Sequence, residues 1–304
     1  MDIAALDQLR IVLDPAGQLG LAAALMLVIF GVALGLKVSD FLLVFKQPVW
    51  FIGAAVTQII GLPLLTFAII SAVSVPPSIA LGMIVVACCP GGAVSNLFTF
   101  LARGNVAFSV ALTATSSVLA ALLTPASILF WSHLHGPTSE LLQSVEVDPI
   151  TFVVQTTFLL AVPIVLGMLL AARAPDVAEK LRRRTALLGS LVLGGVVFYG
   201  CIRFFPVLWP ALPYLLTVAV LHNAAAFVLG ASVGKMLRAD GPVRRAMAIE
   251  VGIQNSGLAL VILVGQLKGL GGAAAIAAAW GIWHLVAGGL IVTVLRSLDR
   301  RHAG

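Results

Sequence analysis

Charge is what this chain has least of. Only 10% of its 304 residues are Asp, Glu, Lys or Arg, 61% are hydrophobic, and mean hydropathy reaches +1.11. That balance excludes a soluble globular domain and predicts an all-α polytopic membrane protein. Cysteine is nearly as scarce. Cys88, Cys89 and Cys201 are odd in number and sit in or beside apolar segments, which excludes a disulfide framework and reads as buried thiols. No long basic patch exists: the net charge of +6 is scattered through short breaks between apolar runs, so nucleic acid is excluded as a partner. The first residues lack the basic stretch of a secretory signal and the Arg-rich bias of a transit peptide, and residues 1–17 read as a short amphipathic lead-in.

What is present is a succession of apolar runs close to the ~20 residues that cross a bilayer. Nine spans are expected, at 18–36, 49–71, 78–101, 105–130, 150–172, 186–204, 211–233, 243–267 and 271–295, with a tail at 296–304. Of the 18 Lys and Arg, all but Arg10, Arg203 and Lys268 fall on one side if the N-terminus is outside and the C-terminus cytoplasmic. Trp131, Trp209, Trp280 and Trp283 read as membrane anchors or packing residues, and His133 and His135 as loop residues.

Acidic residues are placed just as selectively. Asp2, Asp7, Asp14, Asp40, Glu140, Glu146, Asp148, Asp176, Glu179, Asp240 and Asp299 fall in termini or connections, and Glu250 alone lies inside an apolar segment. An ionisable group at membrane depth needs a cavity, a proton or a cationic partner. Its own span and the seventh and ninth hold no interior Lys or Arg, which favours a bound cation or a proton over a salt bridge; a neutral, hydrogen-bonded carboxyl is the structural alternative.

The local sequence suits a site. "EVGIQNSG" predicts an unwound crossing in which the carbonyls of Val251 and Ile253, with Glu250 and Gln254, offer oxygens to an alkali cation. "CCPGGAVSN" breaks the third span at Pro90, Gly91 and Gly92 and follows it with Ser95 and Asn96. The order unbroken, broken, unbroken over 49–130 recurs over 211–295 at an offset of five spans, which predicts two repeats of inverted topology whose broken helices cross. Residues 18–36 and 150–204 remain as a second group. Ser109 and Thr113 share a helix face, and Gln58 is an amide in the second span that needs a partner. Oxygen ligands of this kind suit sodium without excluding potassium or a proton-linked network. His222 and Asn223 mark a polar point in the seventh span, open to packing or to ligand contact.

With "CCPGGAVSN", "LARGNVAFSVALT" and "EVGIQNSGLA" the chain resembles the bile acid:sodium symporter family, from about residue 18 onward, in its bacterial-type, nine-span form. The resemblance implies a core domain of inverted repeats (49–130 and 211–295) and a panel domain (18–36 and 150–204). It implies two co-transported sodium ions, one held by Ser95, Asn96, Ser109, Thr113 and Glu250, the other by Gln58, Glu250, Val251, Ile253 and Gln254. It also implies sodium-coupled symport of an organic anion by alternating access in a bacterial cell membrane. No enzyme activity, cofactor or obligate protein partner is expected. A substrate site near Asn96, Asn255 and His284 follows, and Leu285 beside His284, where bile-acid-transporting relatives have Asn, favours a smaller carboxylate. The alternatives are a proton-coupled or uncoupled anion carrier and a membrane ligand sensor that does not cycle.

Overall fold

A computed structural model describes residues 5–11, 14–37, 41–203 and 205–303, and helix is the dominant element throughout. The first helices are α1 (Ala5–Gln8), α2 (Pro15–Ala33), α3 (Leu43–Lys46) and α4 (Pro48–Val56); α4 runs through a π-helical turn at Thr57–Gly61 into α5 (Leu62–Ala72). Next come α6 (Pro77–Cys88), α7 (Val94–Leu101), α8 (Val106–Leu134), α9 (Gly136–Ser144), α10 (Pro149–Arg173), α11 (Pro175–Arg203) and α12 (Phe205–Met236). The last are α13 (Gly241–Gly252), α14 (Ser256–Val261) with a π-helical turn at Ile262–Gln266, and α15 (Gly271–Ala303).

Among the described residues six helices are long and apolar enough to cross a membrane: Ala16–Ala33, Pro48–Ala72, Val106–Leu134, Pro149–Arg173, Leu208–Met236 and Gly271–Arg301. This is a multi-pass membrane protein. Two of the other three expected spans are broken, and at ~1.5 Å per residue neither Pro77–Cys88 nor Ser256–Gln266 can cross alone. The third, 186–204, lies in α11, which starts earlier than expected and carries Asp176, Glu179, Lys180 and Arg182 in its first turns. His133, expected in a loop, lies instead in the last turn of α8, and the segment after it forms α9, with Thr138 and Leu142 buried.

The acids of the connections have a structural task. Asp14, Asp148 and Asp240 are N-caps of α2, α10 and α13, accepting from the backbone N–H of Gly17 (2.8 Å), Thr151 (2.7 Å) and Val243 (2.8 Å). Each is followed by Pro in the first helical turn, whose preset φ suits that position. The lead-in is tied down as well. Leu6 is buried, Asp7 accepts from Ser78 N–H (2.8 Å), Ile11 N–H donates to the Gly269 carbonyl (2.7 Å), and Gly271 N–H donates to that of Leu9 (2.8 Å). Gly269 has φ +66°, and a Cβ there would lie 2.1 Å from the Ile11 carbonyl oxygen, so the strap requires glycine.

Around the site, α2 packs against α10 and α11, α10 also packs against α8, α12 packs against α13 and α15, and α6 lies between α15, α8 and α5. Every residue of α6 from Ser78 to Cys88 is buried, as an all-round apolar helix must be. The chain therefore encloses the helix that ends at the PGG sequence.

Candidate functional site

Helix α6 stops where proline dictates. Pro90 has no N–H and disfavours helix at the preceding residue, and Cys89 is extended at φ −74°, ψ 155°. Ile253 is likewise extended after α13, at φ −122°, ψ 97°. The two breaks then pair with each other. Gly91 and Gln254 form an antiparallel bridge in which Gly92 N–H donates to the Ile253 carbonyl (3.0 Å) and Asn255 N–H to the Pro90 carbonyl (2.9 Å).

Carbonyls released by the breaks find named donors, as backbone at membrane depth requires. The Thr124 hydroxyl donates to Cys88 O (2.8 Å), the Asn223 amide to Gly252 O (2.7 Å), the Gln254 amide to Val251 O (2.9 Å) and the Gln58 amide to Glu250 O (3.2 Å). Asn255 caps α14 by accepting from Leu258 N–H (3.0 Å). Gly91 leaves room for this contact: a Cβ there would lie 2.7 Å from Glu250 Oε2 and 2.9 Å from Gln58 Nε2.

Glu250 ends α13 fully buried, and three hydroxyls converge on its carboxylate. Ser95 on α7 and Ser109 on α8 donate to Oε1, and Thr113 reaches both oxygens at 3.0 and 2.9 Å. Ser109 has one proton but faces two pure acceptors, Glu250 Oε1 and Asn96 Oδ1 (2.9 Å), with Thr99 Oγ1 at 3.2 Å. The cluster is rich in oxygen and short of protons. Among the described residues no Lys, Arg or His lies within ion-pair distance of Glu250. Extra positive charge, from a cation or from a proton on the carboxylate, is what this arrangement accommodates.

A second set of oxygens adjoins the first. Gln58 sits in the π-helical turn before Pro63, whose missing N–H loosens the helix there. The side-chain oxygens of Gln58, Gln254 and Asn223 are buried without a hydrogen-bond partner. Orphans of this kind cost about 1 to 3 kcal/mol each unless something binds them. The sequence marked Asn223 in "LHNAAAF" as a polar point open to packing or ligand contact; its partner, the Gly252 carbonyl, arrives from another helix.

Ser95, Asn96, Ser109, Thr113 and Glu250 thus form one hydrogen-bonded group, and Gln58, Val251, Ile253 and Gln254 surround the neighbouring crossing. The three residues expected around the substrate do not assemble in the same way. Asn255 lines a cavity of about 30 Å³ together with Pro90, Ser117, Leu258, Val28, Ile29 and Ile164. His284 is instead packed on Trp280, with ring centroids 5.1 Å apart and a 3.1 Å contact to the Trp280 carbonyl. Leu285 was expected to wall the substrate cavity; it is 44% exposed on α15, and neither it nor His284 lines the cavity beside Asn255. No described cluster of His, Cys, Asp and Glu suits a transition metal, whereas these hydroxyl, carboxylate and amide oxygens suit a hard cation.

Comparisons with known proteins agree in direction. The sequence profile of the Sodium Bile acid symporter family matches residues 22–203. The chain is 29% identical over 279 residues to the "Uncharacterized sodium-dependent transporter YocS" of Bacillus subtilis (strain 168), covering 91% of this chain and 84% of that protein. It is 31% identical over 278 residues to the "Probable sodium/metabolite cotransporter BASS1, chloroplastic" of Oryza sativa subsp. japonica, covering 90% of this chain and 65% of the plant protein. For the "P3 protein" of Homo sapiens the figures are 29% over 242 residues, 79% and 49%. The chain therefore spans most of the bacterial relative but only about half to two thirds of the longer plant and human ones.

Proposed function

The chain belongs to the Sodium Bile acid symporter family, a family of transporters and not of enzymes, and from that membership and the proton-poor cluster at Glu250 we propose that it carries a small organic anion across the membrane with sodium. The observation that carries the reading is the Ser109 hydroxyl set between two acceptors, beside a buried carboxylate with no cationic side chain. A hydroxyl donating to a carboxylate keeps its lone pairs, so Ser95, Ser109 and Thr113 can anchor Glu250 and face a cation together. We assign one sodium to Ser95, Asn96, Ser109, Thr113 and Glu250. The second falls to Gln58, Glu250, Val251, Ile253 and Gln254, where two of the orphaned amide oxygens lie.

Transport then follows from the crossing. Sodium offsets the charge of Glu250 and fixes the two breaks, ordering the cavity beside Asn255. That cavity has room for about one or two waters, so α2 and α10 must part from Pro90, Asn255 and Leu258 before any organic solute enters. We read α2, α10 and α11 as a panel and residues 49–130 and 211–295 as a core of two inverted repeats, their relative movement giving alternating access. We place the anion near Asn96, Asn255 and His284, of which Asn255 lines that cavity. The plant relatives' names carry metabolite cotransport, and a small carboxylate is the substrate class proposed here. The proposed setting is a bacterial cell membrane with nine spans, N-terminus outside and C-terminus cytoplasmic.

Reconstitution in proteoliposomes tests this directly. Under an imposed sodium gradient, uptake of small radiolabelled carboxylates should exceed uptake with potassium or choline outside. Equal uptake driven by a proton gradient alone would transfer Glu250 to proton coupling. Saturable ligand binding with no uptake under either gradient would make the protein a sensor.

A further inference from the structure

A second groove opens where α12, α13 and α15 meet, with Phe227 packed beside Gly252 and Ile253 of the crossing. It is open, about 750 Å³ in volume, and its floor includes Phe227 and Val228 of α12, Ala248 of α13, and Ile291 and Val294 of α15. Arg244, Arg245 and Asp299 form its mouth. Their charges are not equivalent. Arg245 is committed, since it forms a two-pronged pair with Asp299 (Nη1 to Oδ2 2.9 Å) and donates to the Ala102 carbonyl at the end of α7 (2.8 Å). Arg244 is exposed and, among the described residues, has neither an ion-pair nor a hydrogen-bond partner. Its stem lies against α12, where a Cβ on Gly234 would come 3.0 Å from Arg244 Cγ.

Asp299 stands eight positions after Ile291 on α15, about 12 Å along the helix. The groove is therefore an apolar slot roughly 12 Å long, open at the side, with one uncompensated cation at its polar end. Val228 and Val294 are 64% and 55% exposed and stand in a bundle whose neighbours are acyl chains. We propose that this slot binds an anionic phospholipid, with an acyl chain along Val228 and Val294 and the phosphate on Arg244. The chemistry selects the lipid class. A guanidinium forms charge-assisted, often paired hydrogen bonds with phosphate, and a headgroup without a cation adds no repulsion beside it. Arg244 and Glu250 share α13, so an occupied slot would hold the foot of the half-helix that carries the cation ligand.

Native mass spectrometry on the full chain, with phosphatidylglycerol and phosphatidylcholine offered at equal amounts, tests the assignment. The wild type should retain phosphatidylglycerol preferentially. Arg244→Gln should lower that retention about fivefold, the worth of one basic residue at an anionic lipid surface, while Arg244→Lys keeps most of it. Val294→Trp fills the slot without touching the charge and should lower retention to a similar degree. Equal retention of the two lipids by the wild type would overturn the proposal, as would full retention by both Arg244→Gln and Val294→Trp. Soluble glycerol phosphate competing as well as the whole lipid would overturn it too, because the slot would then contribute nothing.

Discussion

Ser109 supplies one proton to three oxygens, and the consequences of that shortage can be measured on single residues. Glu250→Gln keeps the size of the side chain and removes its charge; sodium-dependent thermal stabilisation should disappear while the protein remains monodisperse in detergent. An undiminished sodium series would remove Glu250 from the cation site. Ser109→Ala takes away one oxygen and leaves the carboxylate in place. Sodium affinity, read from the midpoint of the same series, should weaken about tenfold, as the loss of one hydrogen-bonding group at a charged site costs about 1 to 2 kcal/mol. An unchanged midpoint would mean that Ser109 only anchors Glu250. These residues were legible in the sequence because each is a polar side chain in an apolar run. Asn223, His222 and His284 were equally visible, but their partners were not, since these come from distant helices: Thr66 meets His222 at 2.8 Å across 156 residues.

At the scale of elements, proline and glycine announced both breaks, and the capping acids repeat a pattern of Asp with Pro one or two residues on. The register of the crossing was hidden, because nothing local says that Gly91 faces Gln254. The helix inside the 132–149 connection escaped for a related reason: a nine-residue helix with only Thr138 and Leu142 buried has little hydrophobic periodicity. Capping also has a pH dependence. The Asp148 carboxyl is held below the ordinary aspartate value of 3.8 by hydrogen bonds from the Thr151 hydroxyl and backbone N–H. A depressed value means that the cap is fully effective above the unfolded-state value and is lost as pH falls through the folded-state one. Hydrogen exchange in the first turn of α10, corrected for its intrinsic pH dependence, should therefore rise only below about pH 4. Asp148→Asn, which still accepts a hydrogen bond, should abolish that rise; an identical rise in the variant would place its cause elsewhere.

For the whole molecule the sequence made the solvent plain and left the moving parts to geometry. The proposed topology puts α9 outside and the start of α11 inside. On a cysteine-free background Gln143→Cys should then react with an impermeant thiol reagent added outside intact cells, and Lys180→Cys only from the inside; the opposite pattern reverses the orientation. The seam between the two helix groups makes a stronger demand. Val28 of α2 and Leu258 of α14 both line the small cavity at the crossing, and the proposed movement requires them to separate. Cysteines at both positions, joined by a short, cleavable thiol cross-linker, should stop anion uptake in proteoliposomes, and cleavage should restore it. Sodium-dependent thermal stabilisation should survive the cross-link, because α2 contributes nothing to the oxygens around Glu250. That pairing of outcomes separates a blocked movement from a damaged cation site. Uptake at the uncross-linked rate, with cross-linking verified by mass, would show that α2 and α14 move as one body and that the solute takes another route.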